Sequence, residues 1–202
     1  MRIANIMGVD RLRMGTDGHG ITTLVAFYNC SLNCKFCLNK KCHIIESDST
    51  VSSIELYNTI KIDQLYFAAT GGGLTFGGGE PLLQPSFIQD VLELGAKDWH
   101  TTMETSLNVP YEEWYSLIEY VDEWIVDIKD MNPSIYKRYT SKDNAVVIHN
   151  LKKIADLGLA KRVLIRLPFI KGFNTESDIR SSYHKLEQIG YSRFDKFSYK
   201  VI

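Results

Sequence analysis

Apolar and polar positions along the chain switch between two periods. Thr22 to Tyr28 is rich in β-branched and aromatic residues, which predicts a buried strand running into a loop. Leu74-Thr75-Phe76, Trp99 to Thr105, Trp124 to Ile128, Arg162 to Leu167 and Phe194 to Val201 predict five more, the fifth closed by Pro168. Between them apolar residues recur at helical spacing. Ile54, Tyr57 and Ile60 lie within residues 52–67, Phe87, Val91, Leu92 and Leu94 run to about Ala96, and Trp114, Leu117, Ile118 and Val121 close a segment opened by Tyr111. Gln64 to Ala69 alone fits a strand or a helix. A further helix over residues 143–157 stops at Gly158. The last starts at Asn174 or Thr175, with Asp178 three residues past Thr175 as an imperfect capping box, and stops at Gly190.

Strands alternating with helices every 25 to 35 residues imply an α/β fold: a parallel sheet with helices on its outer face, open or partly closed into a barrel. Six such units are too few for a complete eight-fold barrel. At 202 residues, 45% of them hydrophobic, the chain is expected to form a single domain over residues 1–202. Lys and Arg number 23 against 24 Asp and Glu without a run of one sign, so a nucleic-acid partner is not expected. No apolar run approaches a membrane span, and the first residues lack a signal-like apolar core, so the expected location is cytoplasmic, with no membrane partner.

The cysteines change the picture. Cys30, Cys34 and Cys37 form C-x3-C-x2-C just past the first strand, and Cys42 follows closely. In a reducing compartment such a cluster points to metal before disulfide. Three thiolates in one loop reach three corners of an iron cube and leave the fourth iron open for a methionine amino and carboxylate group. The competing site is a zinc knuckle of Cys30, Cys34 and Cys37 closed by Cys42 or His43. Gly77-Gly78-Gly79-Glu80-Pro81 ends the second strand with unshielded backbone and a carboxylate able to accept from an ammonium. Glu104 and Thr105 end the third strand, Asp127 and Lys129 flank the end of the fourth, and Arg166 lies near the end of the fifth. All fall at the strand ends where parallel sheets carry their sites. The bland alternatives are a surface ion pair for Asp127 and Lys129, worth under about 1 kcal/mol, a sheet-capping Arg166, and a buried thiol at Cys42.

Together these segments resemble the radical S-adenosylmethionine enzymes, and along nearly the whole chain the glycyl-radical-enzyme activating enzymes of the pyruvate formate-lyase activating enzyme type. Asp17-Gly18-His19-Gly20 resembles their D-G-P-G, Gly71 to Gln84 their G-G-G-V-T-x-S-G-G-E-P-L-L-Q, and Asp127 to Asn132 their D-L-K-x-M-N. The resemblance implies an incomplete (β/α)6 barrel with parallel strands and a [4Fe–4S] cluster on Cys30, Cys34 and Cys37. It implies S-adenosyl-L-methionine contacts from Phe36, Gly78, Gly79, Glu80, Glu104, Asp127, Lys129 and Arg166. It also implies a monovalent cation near Glu104, Thr105 and Asp127, an electron donor such as flavodoxin or ferredoxin, and a protein substrate whose backbone glycine loses a hydrogen atom.

The chain departs from that pattern at Leu38, where the family has His or Tyr, at His19 and Thr22 in the D-G-x-G segment, and at Ser106-Leu107-Asn108, where the family reads N-G after its threonine. It also ends at Ile202, short of the family's closing segment. These departures bear on the substrate. The competing readings are radical chemistry on a modified peptide or a small molecule, as in the 7-carboxy-7-deazaguanine synthase type, and a non-catalytic iron–sulfur or zinc module.

Overall fold

In the computed structural model, which describes residues 2–15, 17–95 and 98–198, the chain packs as two compact units, each drawn from separated stretches. One comprises Met1–Cys30, Asn39–Thr105 and Glu112–Trp124, the other Ser31–Leu38, Ser106–Tyr111 and Ile125–Ile202.

The first unit carries strands β1 (Ile3–Met14), β2 (Ile21–Phe27), β3 (Thr50–Ser52), β4 (Gly73–Gly78) and β5 (His100–Thr105), in the order β3-β1-β2-β4-β5. β2, β4 and β5 are parallel, whereas β1 runs antiparallel to both β2 and β3. β1 and β3 were not expected from the sequence. The far half of β1 is polar and mostly exposed, so its strand character comes from pairing with β2. Helices α1 (Ser53–Lys61) and α2 (Gln64–Thr70) lead into β4, and α3 (Pro85–Glu93) leads towards β5. The segment that fitted either period is thus the helix α2, ended by Gly71 in the left-handed conformation. The core joins Val25, Phe27, Leu74, Phe76 and Met103 of the strands to Leu56, Ile60, Phe67, Phe87 and Val91 of the helices. Tyr111 opens only one helical turn, α4 (Tyr111–Trp114), continued by a 3-10 turn over Tyr115–Glu119.

The second unit holds the last three residues of β6 (Glu123–Asp127), then α5 (Pro133–Thr140), α6 (Ala145–Asp156), β7 (Val163–Phe169), α7 (Glu176–Ile189) and β8 (Phe194–Ser198). β7 and β8 are parallel and in register, with Arg166 opposite Asp195. Pro168 does not close β7. It is the penultimate residue, where the loss of one ladder donor is tolerated. Helix α5 was also not expected, although Asn132 caps it by accepting from the Ser134 N–H at 3.0 Å and Pro133 opens its first turn. The capping box of α7 is complete: Thr175 accepts from the Asp178 N–H, and the Asp178 carboxylate accepts from the Thr175 N–H. In neither unit does the sheet close on itself, so the parallel strands and their crossover helices form the open α/β arrangement expected of an incomplete barrel. Residues 199–201 of the expected last strand and Ala96 of the expected helix through Phe87 lie outside the described residues.

Candidate active site

In the first unit the glycine-rich turn is built against the approach to Cys30. β4 pairs with β2 so that Gly77 faces Ala26 and Gly78 faces Phe27. The ladder continues past both strands, with the Gly79 N–H donating to the Phe27 carbonyl at 2.9 Å and the Glu80 N–H to the Asn29 carbonyl at 2.7 Å. A Cβ on Gly79 would lie 2.2 Å from the Asn29 oxygen, and one on Gly78, where φ is +90°, 2.8 Å from the Ala26 Cα. The glycines are therefore demanded first by backbone packing beside residues 26–29. Asn29 is left-handed and donates its N–H to the Cys42 carbonyl at 2.7 Å, while the Asn39 amide donates to the Gly78 carbonyl at 2.8 Å. Cys42 is a buried thiol, 1% exposed, whereas Cys30 is partly open and His43 lies on the surface.

Glu80 is fully buried at the end of this turn. Its Oε1 accepts from the Thr105 hydroxyl at 2.6 Å and from the Leu82 N–H at 3.2 Å, which ties the turn to the end of β5. A carboxylate has further lone pairs for an ammonium. Glu104, one residue before Thr105, is half-buried and reaches back towards Gly77, whose Cβ would meet Glu104 Oε2 at 3.1 Å.

In the second unit the loop carrying Cys34 and Cys37 is seated on the end of α5. The Asn33 N–H donates to the Thr140 carbonyl at 2.9 Å and the Lys35 N–H to the Tyr139 carbonyl at 3.1 Å. These carbonyls belong to the last turn of the helix, where acceptors are left over. Phe36 packs edge-on against Tyr139 and Phe173 at centroid distances of 6.1 and 5.6 Å. Its place is as a wedge fixing the loop.

Beyond β6, Lys129 forms an ion pair with Asp127 and is only 7% exposed. The pair is therefore not a surface pair. Burial pushes the Cys34 thiol up to about 11, and the nearby Lys129 ammonium works in the opposite direction. The Tyr139 phenol is likewise pushed up to about 12 by burial, again opposed by Lys129. Cys34, Asp127, Lys129 and Tyr139 thus share one electrostatic environment. Tyr139 is the member that sequence reasoning missed. The Asn132-Pro133 start and the spacing of Ile135, Tyr136, Tyr139 and Thr140 were the signals available for it. Arg166 stands on β7, its backbone carbonyl accepting from the Ile128 N–H at 3.0 Å and its guanidinium 3.6 Å from Asp195 on β8.

The three motif thiols are divided between the units, Cys30 in the first and Cys34 and Cys37 in the second. Within neither unit do three His, Cys, Asp or Glu side chains form a metal-sized group among the described residues. The donor set nevertheless fits an iron–sulfur cluster: three soft thiols outside any disulfide, within eight residues, each partly accessible, with a buried ammonium beside one of them.

Comparison with known proteins gives the context for these groups. Residues 24–185 match the Radical SAM superfamily, a span containing every expected cluster and cofactor position. The chain belongs to this superfamily. It is 32% identical over 174 residues to the pyruvate formate-lyase-activating enzyme of Clostridium pasteurianum, covering 86% of this chain and 71% of that one. It is 34% identical over 140 residues to the isethionate sulfite-lyase activating enzyme of Oleidesulfovibrio alaskensis, covering 68% of this chain and 45% of that one. The radical SAM chain thus spans about seven tenths of the first relative and under half of the second. Streptococcus suis SuiB, in a crystal structure bound to S-adenosylmethionine, shares its fold with a TM-score of 0.67 at 13% identity, over 89% of this chain and 42% of that one. This radical SAM protein is an enzyme homologous to glycyl-radical-enzyme activases. Among its described residues no helix is long and apolar enough to cross a membrane.

Proposed function

We propose that this radical SAM enzyme activates a glycyl-radical partner. Cys30, Cys34 and Cys37 would hold a [4Fe–4S] cluster, leaving it an open coordination position that would receive the methionyl end of S-adenosyl-L-methionine. Gly78, Gly79 and Glu80 receive the methionyl ammonium through backbone carbonyls and the Glu80 carboxylate. Phe36, Glu104, Asp127, Lys129 and Arg166 provide the remaining cofactor contacts, with a monovalent cation near Glu104, Thr105 and Asp127. When bound, and given one electron from a flavodoxin- or ferredoxin-type donor, this pair supplies cleavage of a sulfonium carbon–sulfur bond to methionine and a 5′-deoxyadenosyl radical, which takes a hydrogen atom from a backbone glycine. The protein's own work is to seat the cysteine loop on α5, hold the Glu80 carboxylate to Thr105, and keep the Lys129 charge out of water beside Cys34.

The observation that carries this reading is the last one. Taking an ammonium out of water costs several kcal/mol that attraction to a carboxylate offsets only in part, yet Lys129 stands buried next to a motif cysteine, paired with the half-buried Asp127. A buried positive charge there suits an anionic cluster and a cofactor carboxylate. The similarity to two activating enzymes over 86% and 68% of the chain supports the glycyl substrate class.

Anaerobic reconstitution tests it. About four irons per chain with a broad visible absorption are expected, and dithionite with S-adenosylmethionine should yield 5′-deoxyadenosine, which Cys34→Ala abolishes. A colourless zinc protein, or a full cluster with no 5′-deoxyadenosine, would sink the proposal. A persistent protein radical seen by electron paramagnetic resonance on a co-incubated glycyl-radical partner would establish the substrate class. Its absence with every partner encoded nearby would move the chemistry to another substrate.

A further inference from the structure

Asp130 is buried and used by none of the contacts proposed above. It occupies the unspecified position of the segment that resembles D-L-K-x-M-N, so that resemblance assigns it nothing. It is 2% exposed, and its carboxylate is fully engaged by three elements of the second unit. Oδ1 accepts from the Asn132 N–H at 2.8 Å and from the Ser182 hydroxyl of α7 at 3.2 Å. Oδ2 accepts from the Asn174 amide at 3.3 Å. Ser182 in turn accepts from the Met131 N–H at 3.0 Å, and the Asp130 carbonyl accepts from the Asn144 amide at 3.3 Å. Asn174 closes the circuit onto the end of β7, donating to the Pro168 carbonyl at 3.0 Å and accepting from the Ile170 N–H at 2.7 Å.

The placement matters because of what lies on either side. Lys129 precedes Asp130, and Arg166 is two residues before Pro168. The Ile128 N–H already bonds the Arg166 carbonyl at 3.0 Å. The segment carrying Asp127 and Lys129 is therefore pinned to the strand carrying Arg166 at two points, once through Ile128 and once through Asp130 and Asn174. Packing alone does not call for this, since apolar residues of similar size fill a core without the desolvation cost of a carboxylate. What the carboxylate adds is direction: it accepts from three donors at fixed angles.

We infer that Asp130 is a positioning residue that, through Asn174 and Ser182, sets Lys129 and Asp127 against Arg166 for binding of S-adenosylmethionine. This rests on the proposed cofactor role of those three residues. Asp130→Asn would keep the shape and the acceptor for Asn132 and Ser182. It would turn an N–H group onto the Asn174 amide, which cannot rotate away without breaking its bond from Ile170.

The test uses the reconstituted full chain and measures S-adenosylmethionine affinity through its effect on the electron paramagnetic resonance spectrum of the reduced cluster, with iron content and melting temperature alongside. With iron content held, Asp130→Asn should raise Kd by about tenfold, a differential binding term of ~1.4 kcal/mol. Ser182→Ala, which removes the hydroxyl's two bonds, to Asp130 and from the Met131 N–H, and no charge, should weaken binding in the same direction and serves if Asp130→Asn does not fold. A lowered melting temperature with unchanged affinity in both single variants would show that Asp130 only stabilises, and would overturn the inference while leaving the proposed function intact. A wild-type cluster whose spectrum ignores S-adenosylmethionine would overturn both.

Discussion

Asp63 shows how one side chain can be diverted from its local task. It stands at the N-cap of α2 but makes no capping bond. Its carboxylate instead accepts from Arg11 on β1, at 2.9 and 2.5 Å, and from the Thr23 hydroxyl of β2 at 2.9 Å. The Arg11 bond holds the Asp63 carboxyl below its ordinary range, more than burial raises it. A carboxylate whose folded pKa is depressed contributes stability above its unfolded value of about 3.9, and that contribution disappears as pH falls through the folded value. Melting temperature should therefore drop on acidification from pH 5 to 3, with a gentler slope in Asp63→Asn. That variant should be less stable at pH 7 by about 1–3 kcal/mol, the range for a buried polar group left unsatisfied. Equal slopes in the two proteins would refute the assignment. None of this was legible in the sequence, because Arg11, Thr23 and Asp63 meet only when β1 folds back on β2.

At the scale of the element, β4 and α5 make opposite cases. β4 and its glycine turn were legible because glycines are punctuation with a physical meaning, and the structure supplies the reason for Gly79 as a 2.2 Å encounter with a carbonyl. Gly79→Ala should cost several kcal/mol, as forced backbone displacement does, and should lower both the melting midpoint in urea and the iron retained on reconstitution. An alanine variant with wild-type values would mean that the strand ends can part freely. α5 was overlooked because eight residues leave little period to read, even with Asn132-Pro133 marking its start, and its role comes from its end, whose carbonyls receive the cysteine loop. Asn132→Ala removes its cap and should cost about 1 kcal/mol, measurable by chemical denaturation. The ambiguity of α2 had a different origin: the five-residue apolar run Leu65 to Ala69 suits either period, and only Gly71 in its left-handed conformation ends it as a helix.

For the whole molecule, the six strands and most of their helices followed from alternating periodicity. What periodicity missed was the antiparallel addition of β1 and β3, since a half-polar ribbon has no pattern of its own. The pairings that build the sheet join distant stretches: Thr22 lies beside Gly73 and Ile165 beside Phe194. Such non-local parallel pairings must overcome loop-closure entropy first, so the metal-free chain should refold on the order of milliseconds to seconds or slower, through populated intermediates common above about 150 residues. Stopped-flow fluorescence of its tryptophans would check this, and single-exponential refolding within microseconds would contradict it.

The back-to-back ladder between Gly77-Gly78-Gly79-Glu80 and Ala26-Phe27-Tyr28-Asn29 has a consequence for how this protein can change over generations. At its three glycines the geometry is written in main-chain atoms, with no side chain to vary and almost no space for a new one. A saturation library should find those positions nearly silent to improvement and intolerant of replacement. Exposed residues such as Leu38, Ile44 and Ile45 just beyond the cysteines should accept many alternatives. Laboratory retargeting of the enzyme would then proceed through the second group, with the first inherited unchanged.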